Sequence, residues 1–194
     1  MQRMELNIVQ AMELRQSCEQ DLGSVTQIVN NVLIGNVPNE RDGFLINQPL
    51  NEEYLYRLQQ NKFNIIAKID NEVIGFLVAF SDSELRNNLD SGFLKYENDF
   101  FYKLFNDCHH KFIWLDQIAI FPKEYRRKNY GRAMLNEVIN MAKAQGYHDF
   151  YGSISLCPSF NLASSHFIGS YGFKVIETVD ISNRKWGIFY GFFA

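Results

Sequence analysis

Residues 112–144 read FIWLDQIAIFPKEYRRKNYGRAMLNEVINMAKA and hold, in order, a strand, a proline-marked exit, a basic loop and an amphipathic helix. Ile113, Trp114, Leu115, Ile118, Ala119, Ile120 and Phe121 form an apolar run broken only by Asp116 and Gln117. That is the pattern of a buried strand. Pro122 has no N–H to donate and ends ladder pairing. After Gly131, the residues Met134, Leu135, Val138, Ile139 and Ala142 fall on one helical face, and Gly146 stands where a C-terminal cap would.

The loop between them is Tyr125-Arg126-Arg127-Lys128-Asn129-Tyr130-Gly131-Arg132. A helix N-terminus carries about half an elementary positive charge, so cations there are mildly destabilising. This chain nevertheless gathers Arg126, Arg127, Lys128 and Arg132 at that end. The arrangement makes sense if an anion sits there, held by free backbone N–H groups and the helix dipole. Gly131 permits close backbone approach, and Asn129 is among the few non-glycine residues that tolerate positive φ. A solvated basic loop is the other reading, and the charges alone do not choose between them.

The order of motifs does choose. Arg126 to Gly131 resembles the Q/R-x-x-G-x-G/A pyrophosphate loop of the GCN5-related N-acetyltransferase (GNAT) superfamily, and Leu115 to Pro122 resembles the strand before it. Asn161, Ser164, Phe167, Gly172 and Phe173 are similar to that superfamily's late helix, N-x-x-A-x-x-F-Y-x-x-x-G-F. The resemblance runs from Glu13 to the C-terminus and is strongest between Lys111 and Val175. It implies an α/β fold of the mixed kind, a central twisted sheet of about six or seven strands with helices on both faces, and a cleft where strands 112–121 and 148–156 diverge.

Composition sets the outer limits. The chain has 194 residues, 46% hydrophobic and 21% charged, which is ordinary for one globular domain. A net charge of −3 gives no polybasic footprint for nucleic acid. No apolar run approaches the ~20 residues that span a bilayer, so no membrane partner is expected. The first residues lack the continuous apolar core of a secretory signal. Cys18, Cys108 and Cys157 are odd in number and far apart, which argues for a reducing cytoplasm and against a disulfide framework. His109 and His110 are adjacent and point different ways on any regular element, so no metal site is expected.

The whole of 1–194 reads as a single domain, with 1–11 as a leader. A strand covers 12–17, and Val25, Ile28, Val29 and Val32 mark a helix. Gly35 to Pro49 is loop or broken helix. Asn51 can cap a helix with Tyr54, Leu55 and Leu58 on its apolar stripe. Strands 63–69 and 72–80 turn at Asp70-Asn71. Residues 81–110 are an insertion between central strands: a polar run, then Phe93, Leu94, Tyr96, Phe100, Phe101, Leu104 and Phe105 at helical spacing. An extra layer of core is the favoured reading; a homodimer patch or a substrate lid is the sharper one. Strand 148–156, helix 161–171 and paired strands 173–178 and 184–193 complete the chain.

The resemblance implies transfer of an acetyl group from acetyl-coenzyme A to a primary amine of a small molecule or peptide. The thioester is already activated, so the protein must position the amine, stabilise the oxyanion and remove a proton. The resemblance assigns Ile118, Ala119 and Ile120 to the pantetheine arm through main-chain atoms. It assigns Arg126, Arg127, Lys128, Asn129, Tyr130, Gly131 and Arg132 to the pyrophosphate. Asn161, Ser164 and Phe167 would add contacts, with Asn161 also serving as a helix N-cap and Phe167 as core or tunnel wall. Asn129 stands where the superfamily prefers Gly. Ile168 replaces its frequent Tyr acid, and neither His166 nor Tyr171 inherits that position, since a helix turns by ~100° per residue.

Asp116 is the candidate base, because burial on an apolar strand would raise its pKa into a useful range; an ion pair with Lys111 or a loop arginine is the alternative. The strand before Asn161 offers Ser153 and Ser155 but no Glu. These departures support a rival function, a non-catalytic coenzyme A-binding or sensory module. Acceptor choice would fall to Gly35–Pro49 and Val179–Trp186, where Glu40, Asp42 and Asp180 could attract a cationic amine.

Overall fold

The computed structural model describes residues 12–36, 43, 61–88, 98–181 and 183–194. The leader at 1–11, the helix capped by Asn51, the acids Glu40 and Asp42, and Phe93, Leu94 and Tyr96 lie outside the described residues. In chain order the elements are β1 (Met12–Gln16), α1 (Leu22–Val32), β2 (Ile65–Ile69), β3 (Glu72–Ser81), α2 (Asp82–Asn88), α3 (Asn98–Asp107) and β4 (Phe112–Ile120). Then come α4 (Tyr130–Lys143), β5 (Asp149–Cys157), α5 (Leu162–Gly169), β6 (Lys174–Ile181) and β7 (Arg184–Phe192). The strands form one mixed sheet in the order β1-β2-β3-β4-β5-β7-β6. Only the β4–β5 pair is parallel.

Helices cover both faces, as layered α/β packing requires. Val25, Ile28, Val29 and Val32 of α1, Leu85 of α2, and Phe101 and Phe105 of α3 pack on one face with Phe112, Trp114 and Ala119. Met134, Leu135, Val138, Ile139 and Ala142 of α4 pack on the other with Ile113, Ile118 and Ile120. Full burial of each valine, leucine, isoleucine, phenylalanine or methionine among them is worth about 1.5–3 kcal/mol. The α3 aromatics are an added core layer: Phe101 meets Trp114 edge-on at 4.9 Å, and Phe105 stacks on Phe112 at 5.8 Å.

Local chemistry explains two turns. Asp70 and Asn71 both take positive φ, 50° and 69°, and join β2 to β3 in a two-residue hairpin. The polar run after β3 is a helix start. Ser81 Oγ accepts from the Glu84 N–H at 3.3 Å, while the Ser81 N–H donates to Glu84 Oε2 at 2.7 Å. That reciprocal pair is a capping box, and S-x-x-E at 81–84 is its sequence signature.

The register of β4 matters most for the site. Val78 pairs with Gln117 but Ala79 pairs with Leu115, so Asp116 is the extra residue of a β-bulge. Before it, Phe112 and Trp114 face α1; after it, Ala119 does. The alternation slips by one, and Asp116 and Gln117 both fall on the α1 face. No helix among the described residues is long and apolar enough to cross a membrane.

An ion pair ties β1 to the start of α1. Arg15 Nη1 and Nη2 each donate to the Asp21 carboxylate at 2.7 Å, and the Cys18 N–H donates to Oδ2 at 2.8 Å. Burial pushes the Asp21 carboxyl up, but the hydrogen bonds from Arg15 and Cys18 together outweigh it and hold the group below its ordinary value. A depressed carboxyl contributes stability above its unfolded value of about 3.9 and loses it as pH falls through the folded value. Asp21→Asn is therefore expected to cost about 2 kcal/mol near neutrality. In denaturant titrations at successive pH, the gap from wild type should close on acidification below pH ~4; a gap independent of pH would exclude the ion pair as its source.

Candidate active site

β4 and β5 share ladder pairs only from Phe112–Asp149 to Leu115–Gly152. Beyond that point β4 stays paired to β3 and β5 to β7, so the two parallel strands part. From Gln117 to Ile120, β4 shares no ladder pair with β5. Into this split opens a cleft of about 910 Å³.

Three elements frame it. Ile118, Ala119 and Ile120 supply the strand edge; Arg126, Arg127, Asn129, Tyr130, Gly131 and Arg132 the loop and the head of α4; Ser164 and Phe167 the wall from α5. Lys128, Asn161 and Asp116 are not among the lining residues. Lys123, Tyr125, Leu162, Ala163, His166 and Ser170 line the cleft as well, together with Val32 and Gly43. Sequence reasoning did not assign these to the cleft, because which side of α1, the loop or α5 borders it depends on how those elements pack.

The loop is shaped to present amides. Arg127 and Asn129 both adopt left-handed φ, 62° and 66°. Arg126 Nε donates to the Ile120 carbonyl at 3.0 Å, tying the loop to the strand end. The first backbone bond of α4 runs from the Ala133 N–H to the Asn129 carbonyl. The N–H groups of residues 127–132 meet no acceptor among the described residues. Six consecutive open donors, on a helix terminus with its positive dipole end, form an anion cradle by geometry. Lys123, Arg126, Arg127 and Arg132 add charge around it, and no Asp or Glu is among the described lining residues.

Position 131 has little spare room. A Cβ there would lie 3.5 Å from Phe167 Cε2 and 3.6 Å from Ile118 Cδ1, ordinary contact distances. Any larger side chain would have to enter the cleft between strand edge and α5 wall.

The α5 side is fixed by capping. Asn161 is buried, and its Oδ1 accepts from the Ser164 N–H at 3.1 Å. Its own N–H donates to the Ser155 carbonyl at 3.0 Å, pinning α5 to β5. Ile168 is core on the α4 face, while His166 lines the cleft. Tyr171 turns elsewhere: its hydroxyl donates to the Arg132 carbonyl at 2.9 Å, and burial pushes its phenol up against the opposing influence of Arg132. Asp116 is half-buried at the bulge on the α1 face. His110 Nε2 lies 3.3 Å from Asp149 Oδ1 and 3.3 Å from Cys108 Sγ, where β4 begins, away from the split. Among the described residues no group of three His, Cys, Asp or Glu is placed to hold a metal ion.

The left-handed Asn129 gives a direct test of the loop. Left-handed φ costs an alanine about 1 kcal/mol or more, whereas glycine adopts it freely. Asn129→Ala should lower unfolding free energy by about 1 kcal/mol, and Asn129→Gly should leave it within about 0.5 kcal/mol. Equal losses in both variants would mean that the asparagine side chain, not φ, sets the cost.

Comparison with known proteins agrees with this geometry. The acetyltransferase (GNAT) family matches residues 37–173. No sequence match is found among curated proteins. The fold is similar to a Drosophila melanogaster polyamine N-acetyltransferase that catalyses formation of N-acetylagmatine: TM-score 0.66, 12% identity, 94% of this chain and 100% of that one covered. It is similar to Arabidopsis thaliana Naa50 in complex with the bisubstrate analogue CoA-Ac-MVNAL, with TM-score 0.61, 15% identity and 94% and 99% coverage. It is also similar to the diaminobutyrate acetyltransferase EctA of Paenibacillus lautus, in complex with L-2,4-diaminobutyric acid and coenzyme A, with TM-score 0.59, 17% identity and 93% and 94% coverage. With the family matched over most of its length, and with the split sheet and open helix terminus in place, the chain belongs to the GNAT acetyltransferase family, whose members are N-acetyltransferases.

Proposed function

We infer that the chain moves the acetyl group of acetyl-coenzyme A directly to a primary amine of a small molecule or peptide. The observation that carries this is one cleft bounded by a loop with open backbone donors and by the edge of β4 that shares no ladder pair with β5. The first suits a pyrophosphate; the second suits the amide-rich pantetheine arm and the carbonyl of a thioester. Related folds bind coenzyme A or its conjugates and act on amines, among them a peptide, a polyamine and a diamino acid. The dispersed free cysteines support a cytoplasmic setting.

In this reading residues 127–132 hold the pyrophosphate, Arg126 braces the loop, and Ile118 to Ile120 align the pantetheine. Phe167 and Ser164 form the opposite wall, and Asn161 holds that wall by capping α5. The amine reaches the thioester carbon from the α1 side of the split. Asp116, on that side, takes one proton from the ammonium, directly or through water. The amine lone pair then bonds to the carbonyl carbon, and β4 N–H groups stabilise the oxyanion. Collapse breaks the C–S bond and the thiolate leaves; the second proton passes from the nitrogen through water to the thiolate, since Ile168 is core and offers no acid.

The rival is a coenzyme A-binding module without turnover. It is favoured by Ile168 in the core and by the lack of any carboxylate among the described lining residues. A thiol-release assay over a panel of amines separates the two: tight acetyl-coenzyme A binding with no release on any amine selects the module.

Binding itself is tested by thermal shift. Acetyl-coenzyme A should raise the melting temperature by mass action. Gly131→Val should abolish the shift, because the valine fills the gap between Phe167 and Ile118, and Arg126→Ala should weaken it less. A full shift in Gly131→Val would remove the loop from the site. Asp116→Asn should lower kcat by ~10²–10⁴ with coenzyme binding retained. A normal rate in a destabilised Asp116→Asn protein would make Asp116 structural and leave water as the base.

A further inference from the structure

On the α1 face, at the end of the sheet where β4 and β5 part, three side chains carry buried atoms with no hydrogen-bond partner. They are Gln117 Oε1, Arg184 Nη1 and Trp186 Nε1, three of five such atoms among the described residues. Native structures leave few polar atoms in this state, because each gives up its hydrogen bond to water without a replacement. Three at one end of one face call for a ligand.

Their placement follows from register. Gln117 follows the bulge, two residues beyond the last β4–β5 pair at Leu115–Gly152, and is 6% exposed. Trp186 pairs with Ser155 of β5, three residues beyond that branch point, and with Val179 of β6. Val179, Ile188 and Tyr190 belong to the core under α1, so Trp186 and Arg184, two and four residues before Ile188, project to the same face. Val32 of α1 and Ala119 of β4, both on this face, also line the coenzyme cleft. The cleft thus reaches the α1 face, the face that carries the three side chains, none of which lines it as it stands.

Their chemistry is complementary to one kind of molecule. Arg184 and Trp186 offer donors, and the guanidinium is permanently charged and shaped for a planar anion. Gln117 Oε1 offers an acceptor beside Asp116. We propose that these residues form the acceptor subsite, selective for amines that carry a carboxylate: Arg184 and Trp186 receive the carboxylate, and Gln117 receives the amine N–H. This assignment rests on the acetyl-transfer reading of the cleft.

The test sets α-, β- and γ-amino acids (glycine, β-alanine, γ-aminobutyrate) against methylamine, ethylamine and propylamine. Two readouts are taken: kcat/KM for thiol release, and calorimetric titration of each amine into the protein with and without coenzyme A. Wild type should favour at least one amino acid over its alkylamine in both. In Arg184→Gln that preference ratio should fall roughly 10- to 100-fold, the scale of a lost charge-assisted pair, and Arg184→Lys should recover part of it. A wild-type preference for alkylamines, no binding of any amino acid, or an unchanged ratio in Arg184→Gln overturns the proposal. Should thiol release fail on every amine, the transferase reading falls, yet the titrations still decide whether Arg184 selects a carboxylate.

Discussion

Beyond Leu115 and Gly152 the two parallel strands at the centre of the sheet stop sharing hydrogen bonds, and the rest of the molecule is arranged around that separation. At the last pair the strands come close: a Cβ on Gly152 would meet the Leu115 carbonyl oxygen at 2.7 Å and the Phe189 ring at 2.2 Å. One residue later the bulge at Asp116 bends β4 and strengthens its twist, and the ladder cannot continue. Each strand is then secured from its outer side, β4 by β3 and β5 by β7. The backbone groups left open in between would be costly in a dry core. Lining a cleft is what makes them tolerable.

Two anchors keep the split from closing or fraying. Arg126 reaches back to the Ile120 carbonyl, so the loop that starts α4 is locked to the end of β4. Asn161 donates its N–H to the Ser155 carbonyl and caps α5, so α5 is locked to the end of β5. The two walls of the cleft are thereby referenced to the two strands that diverge. Their spacing is set by sheet geometry, with the loops following it. The loop with its open amides and the wall from α5 thus border one cleft.

The bulge has a second consequence, on the α1 face. It puts Asp116 and Gln117 on the same side, which a regular strand never does with consecutive residues. A carboxylate and an amide oxygen are thus presented together beside the split, opposite the basic loop. The positive cradle and the acidic Asp116 therefore occupy different faces of one sheet. That separation suits a reaction in which an anionic donor and an amine approach the same carbonyl from two directions. The family membership and the fold stand on the sequence match and the architecture; the roles of these residues are what the functional reading adds.

Much of this was legible in the chain because it is governed by local periodicity. The buried stripe of α4, the apolar run of β4, the Asp70-Asn71 turn and the Asn161 cap each depend on residues within one or two turns of each other. The Ser81–Glu84 capping box carries its signature in the sequence, but the reading of 81–110 as a polar run passed over it and over α2. Three features came only from tertiary structure. The bulge at Asp116 is a statement about register against β3, and no property of residues 112–120 alone fixes register. The insertion of β7 between β5 and β6 depends on which strand edges remain free after the rest has packed. The unpaired atoms of Gln117, Arg184 and Trp186 belong to segments nearly seventy residues apart that share one face of the sheet. Sequence determines which residues must be buried and where helices begin; only the assembled sheet decides which polar groups are left without partners, because hydrogen-bond satisfaction is a property of neighbours in space.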